Sequence, residues 1–182
     1  TMRFPIKTLS RAVASALVLF GCGKEAPPPP PPKAEQPPAP PPKPTLTVKI
    51  GHSAPLTGPQ AHLGKDNENG ARLAIEEANA RKLEIGGAVV TFEFLGEDDQ
   101  ADPKQGTTVA QKLVDAKVNG VIGHLNSGTT IPASKLYADA GIPQISPSAT
   151  NPKYTQQGFK TAFRVVANDG QLGGTLGKYA VN

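Results

Sequence analysis

From Thr45 onward the apolar residues switch repeatedly between a period of two and a period near 3.6. Short β-branched and aromatic runs predict strands at Leu46–Gly51, Val89–Leu95, Val118–Ile122, Ile142–Ile145 and Phe159–Val166. Between the first two, Ala71, Ala74, Ile75 and Ala78 recur at helical spacing within Asp66–Arg81, with Glu76 and Glu77 turned to solvent. Pro103 opens a second helical segment, in which Val109, Ala110, Leu113 and Val114 share a face. Thr130–Ala140 reads as a third helix with Pro132 near its first turn, and Gln171–Val181 as a last one. This alternation amounts to five βα units in series and predicts an α/β fold, a doubly wound parallel sheet with helices on both faces. In such sheets a ligand sits beyond the carboxyl ends of the strands, near the reversal of strand order. The loops after the first, third and fourth strands are therefore where function is expected.

The pattern before Thr45 is of another kind. Residues 1–21 hold Arg3, Lys7 and Arg11 and no acidic residue, and Ala12–Phe20 is an apolar run of nine. A bilayer needs about 20 helical residues, so the run is too short to span one. A basic segment ahead of a short apolar one predicts a secretory signal over 1–21. Leu19-Phe20-Gly21-Cys22 resembles the bacterial lipobox. That resemblance implies cleavage before Cys22, lipidation of its thiol and a periplasmic protein anchored to a membrane. Gly23 after the cysteine, where an Asp would retain the protein at the inner membrane, favours the outer one. The alternative is an ordinary signal peptide with an incidental cysteine. Residues 22–44 then form a tether: 12 of the 20 prolines fall between Ala26 and Pro44, which excludes helix and ladder. A polyproline II spacer of that length reaches roughly 55–60 Å. Docking of a PxxP-reading domain is mainly an intracellular mode, and a stiff tether suits an exported protein better.

Charge and motifs narrow the function classes. The formal charge of +4 comes from residues 1–44, since residues 45–182 carry 13 basic and 13 acidic side chains. A neutral domain has no electrostatic reason to seek nucleic acid. The single cysteine, Cys22, excludes an internal disulfide framework and a cysteine-based zinc cluster. His52, His62 and His124 share no metal-ligand spacing with carboxylates and read as three unrelated histidines. Ser127 stands in Leu125-Asn126-Ser127-Gly128, which is no nucleophile elbow. Gly64-Lys65-Asp66 and Gly177-Lys178-Tyr179 fail the P-loop, and the glycines at 170, 173, 174 and 177 do not give a dinucleotide loop. No enzyme, cofactor or metal is expected.

Two loops carry usable chemistry. Gly123–Thr130 follows the third strand and leads into a helix, where unpaired N–H groups beside hydroxyls suit a carboxylate. Ser146–Thr150 follows the fourth strand and adds hydroxyls and a carbonyl able to face an ammonium group. Helix capping accounts for the same residues, and local chemistry leaves both readings open.

Three stretches bear on that choice: GHSAPLTGPQAHLGKDNENGARLAIEEANA from Gly51, EDDQADPKQ from Glu97, and VNGVIGHLNSGTTIPASKLYADAGIPQISPSAT from Val118. They resemble the leucine/isoleucine/valine-binding protein family, among the type I periplasmic substrate-binding proteins of ABC transporters. The resemblance implies a two-lobed receptor that closes on a branched-chain or other free amino acid and delivers it to the permease of an ABC importer. Residues 45–182 would be its N-terminal lobe, with a second lobe outside this sequence, so the 182 residues would bind weakly by themselves. It implies that Ser127 holds the ligand carboxylate at the helix start with Gly128. Ser148 would offer its carbonyl to the ammonium, and Thr150 its hydroxyl and amide to the ligand backbone. Leu63 stands where the resemblance implies an aromatic wall to the side-chain pocket, so side-chain preference stays open. Ala101 and Asn126 occupy positions that form a disulfide in some members, a crosslink this chain lacks. The same fold also serves other small ligands, such as amides and aromatic acids, and sensor modules.

The leader yields the first prediction. Cys22→Ser should stay soluble or unprocessed while the unaltered protein remains with membranes after a carbonate wash. Equal partitioning of the two would remove lipidation.

Overall fold

The structure, a computed structural model, describes residues 41–181. The expected signal segment 1–21, Cys22 and the tether up to residue 40 lie outside the described residues. Strand β1 (Thr45–Ala54) runs through the middle of a six-stranded sheet of order β2-β3-β1-β4-β5-β6. It pairs in parallel with β3 (Ala88–Asp98) on one side and β4 (Gly120–Gly123) on the other. β5 (Gln144–Ser146) and β6 (Ala162–Arg164) continue the parallel sheet beyond β4. The short β2 (Glu84–Ile85) is antiparallel to the start of β3. It turns back through Gly86 and Gly87, whose φ values of 60° and 84° suit a two-residue hairpin that side chains would strain. Among the parallel strands the order reverses between β1 and β4, which puts the switch point at their carboxyl ends.

The period-two pleat separates two faces. On one, Gly51 and Val121 are paired neighbours that meet Leu113 of α2 (Pro103–Asp115). With α3 (Ser127–Asp139) this face makes the core: Val109, Ala110, Leu113, Val118, Val121, Ala133, Tyr137 and Ile142. On the other, α1 (Ala61–Ala80) packs over β1 and β3 with Ala71 and Ile75 buried, while Gly64 lies against the Pro55 backbone just past β1. Helices on both faces of a mostly parallel sheet are the doubly wound architecture expected from the sequence. Beyond the cover of α1, Ile145 on β5 and Phe163 on β6 stay exposed, as do Leu172, Leu176 and Tyr179 of α5 (Asp169–Val181).

Several boundaries differ from the sequence pattern, each for a local reason. α1 begins at Ala61, before the expected Asp66, because the Gln60 carbonyl accepts the Leu63 and Gly64 amides at 3.0 and 3.1 Å. α3 begins at Ser127, before the expected Thr130. The Asn126 carbonyl accepts the amides of Thr129 and Thr130 and both their hydroxyls, which nucleates the first turn. Pro132 therefore lies inside α3 rather than near its start. β6 keeps three residues of the expected eight, since β5 offers it only three partners. The fourth unit has only the one-turn α4 (Lys153–Gln156) for its helix. β1 and β3 run on to Ala54 and Asp98, past the apolar pattern, because their ladder continues through polar residues.

Leu113 is 1% exposed at the centre of the core, so Leu113→Ala should cost about 2–5 kcal/mol of stability, read as a fall in the urea midpoint. A loss well under 1 kcal/mol would mean that α2 does not bear on the core as described.

Candidate functional site

Extension of β1 and β3 past the apolar pattern brings the carboxyl ends of the strands to one rim. Ser53 of β1 is paired with Gly123 of β4, and Ala54 with Asp98 of β3. Gly123 has φ of 131°, and a Cβ there would collide with the Ser53 carbonyl, so glycine is required for the strands to meet this closely. Just past the strand ends lies a fully buried polar set of Ser53, Asp99 and His124. The ring Nδ1 of His124 is 2.8 Å from Asp99 Oδ2 and 3.0 Å from Ser53 Oγ, and its Nε2 is 3.1 Å from the Tyr137 hydroxyl. The Ser53 hydroxyl also donates to Asp99 Oδ2 at 3.2 Å. Burial pushes the Asp99 carboxyl up, but the His124 ring, the Ala101 amide and the Ser53 hydroxyl outweigh it and hold the group below the usual carboxylate range. Burial raises the Tyr137 phenol far above its ordinary value.

Above this set the two hydroxyl-bearing loops interlock. The His124 carbonyl accepts the hydroxyls of Ser146, at 2.8 Å, and Thr130, at 3.1 Å. Ser146 Oγ in turn accepts the Ala149 amide at 3.0 Å. The Ser148 hydroxyl donates to the Leu125 carbonyl at 3.0 Å, and the Asn151 amide donates to Ser127 Oγ at 3.2 Å. The Asp169 amide donates to the Thr150 carbonyl at 2.9 Å, and Arg164 Nη1 donates to the Asn151 carbonyl at 3.0 Å. Ser127, Gly128, Ser148 and Thr150 thus stand on adjoining loops, half-buried except for the exposed Gly128. Ser127 does not cap α3: Asn126 is the capping residue, and the Ser127 oxygen reaches across to the other loop. Among the described residues no donor reaches the Ser148 carbonyl, and the amides of Ser127, Gly128 and Thr150 have no acceptor. First-turn amides of a helix are left free in this way.

Leu63 enters from the loop after β1. Asp98 fixes that loop by accepting the Leu56 amide at 2.8 Å and the Thr57 hydroxyl at 2.5 Å. Asn126 Nδ2 donates to Gln60 Oε1 at 2.7 Å, which brings the starts of α1 and α3 together. Leu63, the third residue of α1, is 46% exposed. Ala101 and Asn126 carry no crosslink. Cys22 lies outside the described residues.

The geometry excludes one tempting reading of Ser53, Asp99 and His124. A nucleophilic triad needs serine and carboxylate on opposite ring nitrogens, and here both face Nδ1 in a region without solvent access. Among the described residues no three histidine, cysteine or carboxylate side chains gather as a metal site.

The profile of the family described as "Periplasmic binding protein" matches residues 47–182. The chain belongs to that family. It is similar to the Leu/Ile/Val-binding protein homolog 1 of Brucella abortus, 47% identical over 132 residues, which are 72% of this chain and 35% of the relative. Among solved structures it is similar to the branched-chain amino acid transporter substrate binding protein of Streptococcus pneumoniae in complex with isoleucine. That likeness has a TM-score of 0.62 and 34% identity, covering 68% of this chain and 35% of the other. It is also similar to a solute binding protein of an ABC transporter from Rhodopseudomonas palustris in complex with 3,4-dihydroxy benzoic acid. There the TM-score is 0.59 and the identity 28%, over 67% of this chain and 32% of the other. The chain thus spans about a third of the length of the curated relatives it matches. Those relatives are binding proteins rather than enzymes, which supports a non-enzymatic role.

The partnership of Asp99 with His124, and the roles of Gln60 and Asn151, were not expected from the sequence. Asp99 and His124 are 25 residues apart and look unrelated in the chain. The available signal was positional: each directly follows a strand that flanks β1. His62 is exposed, whereas His52 is buried in β1 with Nδ1 at 2.9 Å from the Ile122 carbonyl.

Burial lowers the His52 pKa more than that carbonyl raises it. A histidine whose folded pKa is depressed contributes stability fully present above its unfolded value, near 6.5, and lost as pH falls through the folded value. The urea midpoint should therefore decline as pH falls below about 6.5. In His52→Gln that part of the decline should vanish, and parallel pH profiles for the two proteins would contradict the assignment.

Proposed function

We propose that this lobe serves a substrate receptor of an ABC importer and holds the main-chain groups of a free amino acid, branched-chain in the first instance. The observation that carries the reading is the polarity of the two adjoining loops. Ser127 Oγ already accepts the Asn151 amide, so its own proton is free to be donated. Beside it stand the unpaired amides at the start of α3, and together they suit a carboxylate. The Ser148 carbonyl, with no donor of its own, suits an ammonium group, and the Thr150 hydroxyl and amide suit the ligand backbone. A zwitterion must leave water at both charges, so a site that offers donors and an acceptor side by side fits it well.

Leu63 would shape the side-chain pocket. The opposite wall would come from a second lobe, and the lipid anchor at Cys22 and the proline-rich tether would hold the receptor at the membrane surface in the periplasm, near its permease. An aromatic acid is the second reading, favoured by the dihydroxybenzoate bound to the Rhodopseudomonas relative. It would use the carboxylate donors and leave the Ser148 carbonyl idle.

Calorimetric titration of the protein in its full native length against amino acids, their amides and hydroxybenzoates tests the assignment. A hydrogen bond to a charged group contributes about 1.5–3 kcal/mol, so Ser127→Ala should weaken amino-acid binding by roughly 10- to 150-fold, and Thr150→Val similarly. Ser148→Ala keeps the carbonyl and loses only the tie to Leu125 within the protein, so its effect on binding should be mild. Leu63→Tyr should reorder affinities rather than lower them all. Unchanged affinity in both Ser127→Ala and Thr150→Val would return those hydroxyls to a structural role, and tighter binding of hydroxybenzoates than of any amino acid would select the second reading.

A further inference from the structure

The sealed set of Ser53, Asp99, His124 and Tyr137 touches no ligand-accessible surface, yet four polar side chains from four parts of the fold converge there. Burying a carboxylate is costly, and well-packed apolar side chains of similar volume would serve a core at least as well. What the set achieves is to grip one residue from both sides. The ring of His124 is held by Asp99 at Nδ1 and by Tyr137 at Nε2. The carbonyl of the same residue accepts Ser146 and Thr130, and Ser146 then organises the amide of Ala149. His124 thus stands at the junction of the loop that presents Ser127 and the loop that presents Ser148 and Thr150.

We infer that Asp99 and His124 are positioning residues for the amino-acid cleft: the buried ring fixes the His124 carbonyl, and the carbonyl fixes the spacing of the two hydroxyl loops. This rests on the amino-acid reading given above. A carboxylate can only accept, so Nδ1 of His124 carries a proton toward Asp99, and a neutral ring would then accept the Tyr137 hydroxyl at Nε2. Asp99 has no spare oxygen, because Oδ1 accepts the Ala101 amide at 3.0 Å while Oδ2 serves His124 and Ser53. An amide at position 99 must turn an N–H toward one of these donors. Asp99→Asn therefore either shifts the His124 proton to Nε2 or disturbs the turn at Ala101.

The experiment compares the protein in its full native length with Asp99→Asn, Tyr137→Phe and Leu113→Ala, reading leucine affinity by calorimetry, stability by urea and the His124 tautomer by ¹⁵N NMR. Asp99→Asn should weaken leucine binding about tenfold or more, and Tyr137→Phe by a smaller factor with a mixed tautomer. Leu113→Ala, which loosens the core away from the rim, should keep leucine affinity within about twofold despite a comparable fall in urea midpoint. If Asp99→Asn does not fold, Tyr137→Phe and the tautomer of the unaltered protein carry the test. An Nδ1 without a proton in the unaltered protein overturns the inference, as do Asp99 and Tyr137 variants that bind leucine as well as Leu113→Ala does. An unaltered protein that binds no amino acid is a different failure. It ends the reading of the cleft and takes this inference with it.

Discussion

The central strand β1 must be hydrogen-bonded along both edges and covered on both faces, and the rest of the lobe depends on how that is met. A parallel neighbour cannot be reached by a tight turn, so every return to the sheet costs a crossover, here largely a helix. β3 pairs with β1 over ten residues and β4 over four, and the two ladders end level at Ser53 and Ala54. This levelling gathers Asp98, Asp99, Gly123 and His124 at one rim without any long-range attraction between them. In open α/β sheets a reversal of strand order of this kind is where ligands sit. The sheet thus sets the place of the proposed site, and the loops supply the hydroxyls and amides on which that proposal rests.

Most of this architecture was legible in the pattern of apolar residues, because burial on both faces imposes it. Val90, Val109, Val121 and Leu113 leave water, and their spacing betrays the element that carries them. The misjudged boundaries fall where burial and apolarity part company. Gly64 and Thr129 are buried without being hydrophobic, so the early starts of α1 and α3 left no trace in the pattern. The ends of β1 and β3 are likewise polar. Polar strand ends and helix starts lack an apolar signal, so the boundaries that periodicity misplaces lie at the rim where the proposed site stands. The serine and threonine loops were visible as chemistry, whereas their cross-loop bonds depend on β4 and β5 being neighbours, which periodicity does not encode.

The resemblance to the leucine/isoleucine/valine-binding proteins brings one comparison into focus. In some members a disulfide between the positions of Ala101 and Asn126 ties the loop after the second parallel strand to the loop after the third. This chain has no cysteine at either place, yet the same two loops are tied two residues earlier on each side, by Asp99 and His124 at 2.8 Å. The two devices differ physically. A disulfide acts in large part on the unfolded chain, by closing a loop, and holds whatever the pH. The Asp99–His124 bond exists only in the folded state, and it fixes a ring orientation that a crosslink between neighbouring residues would leave free. Asn126, released from any crosslink, spends its amide on Gln60 and joins the start of α1 to the same rim. One hydrogen-bonded set thereby connects the loops after β1, β3, β4 and β5, and a ligand seated on Ser127 and Ser148 would rest on all four at once.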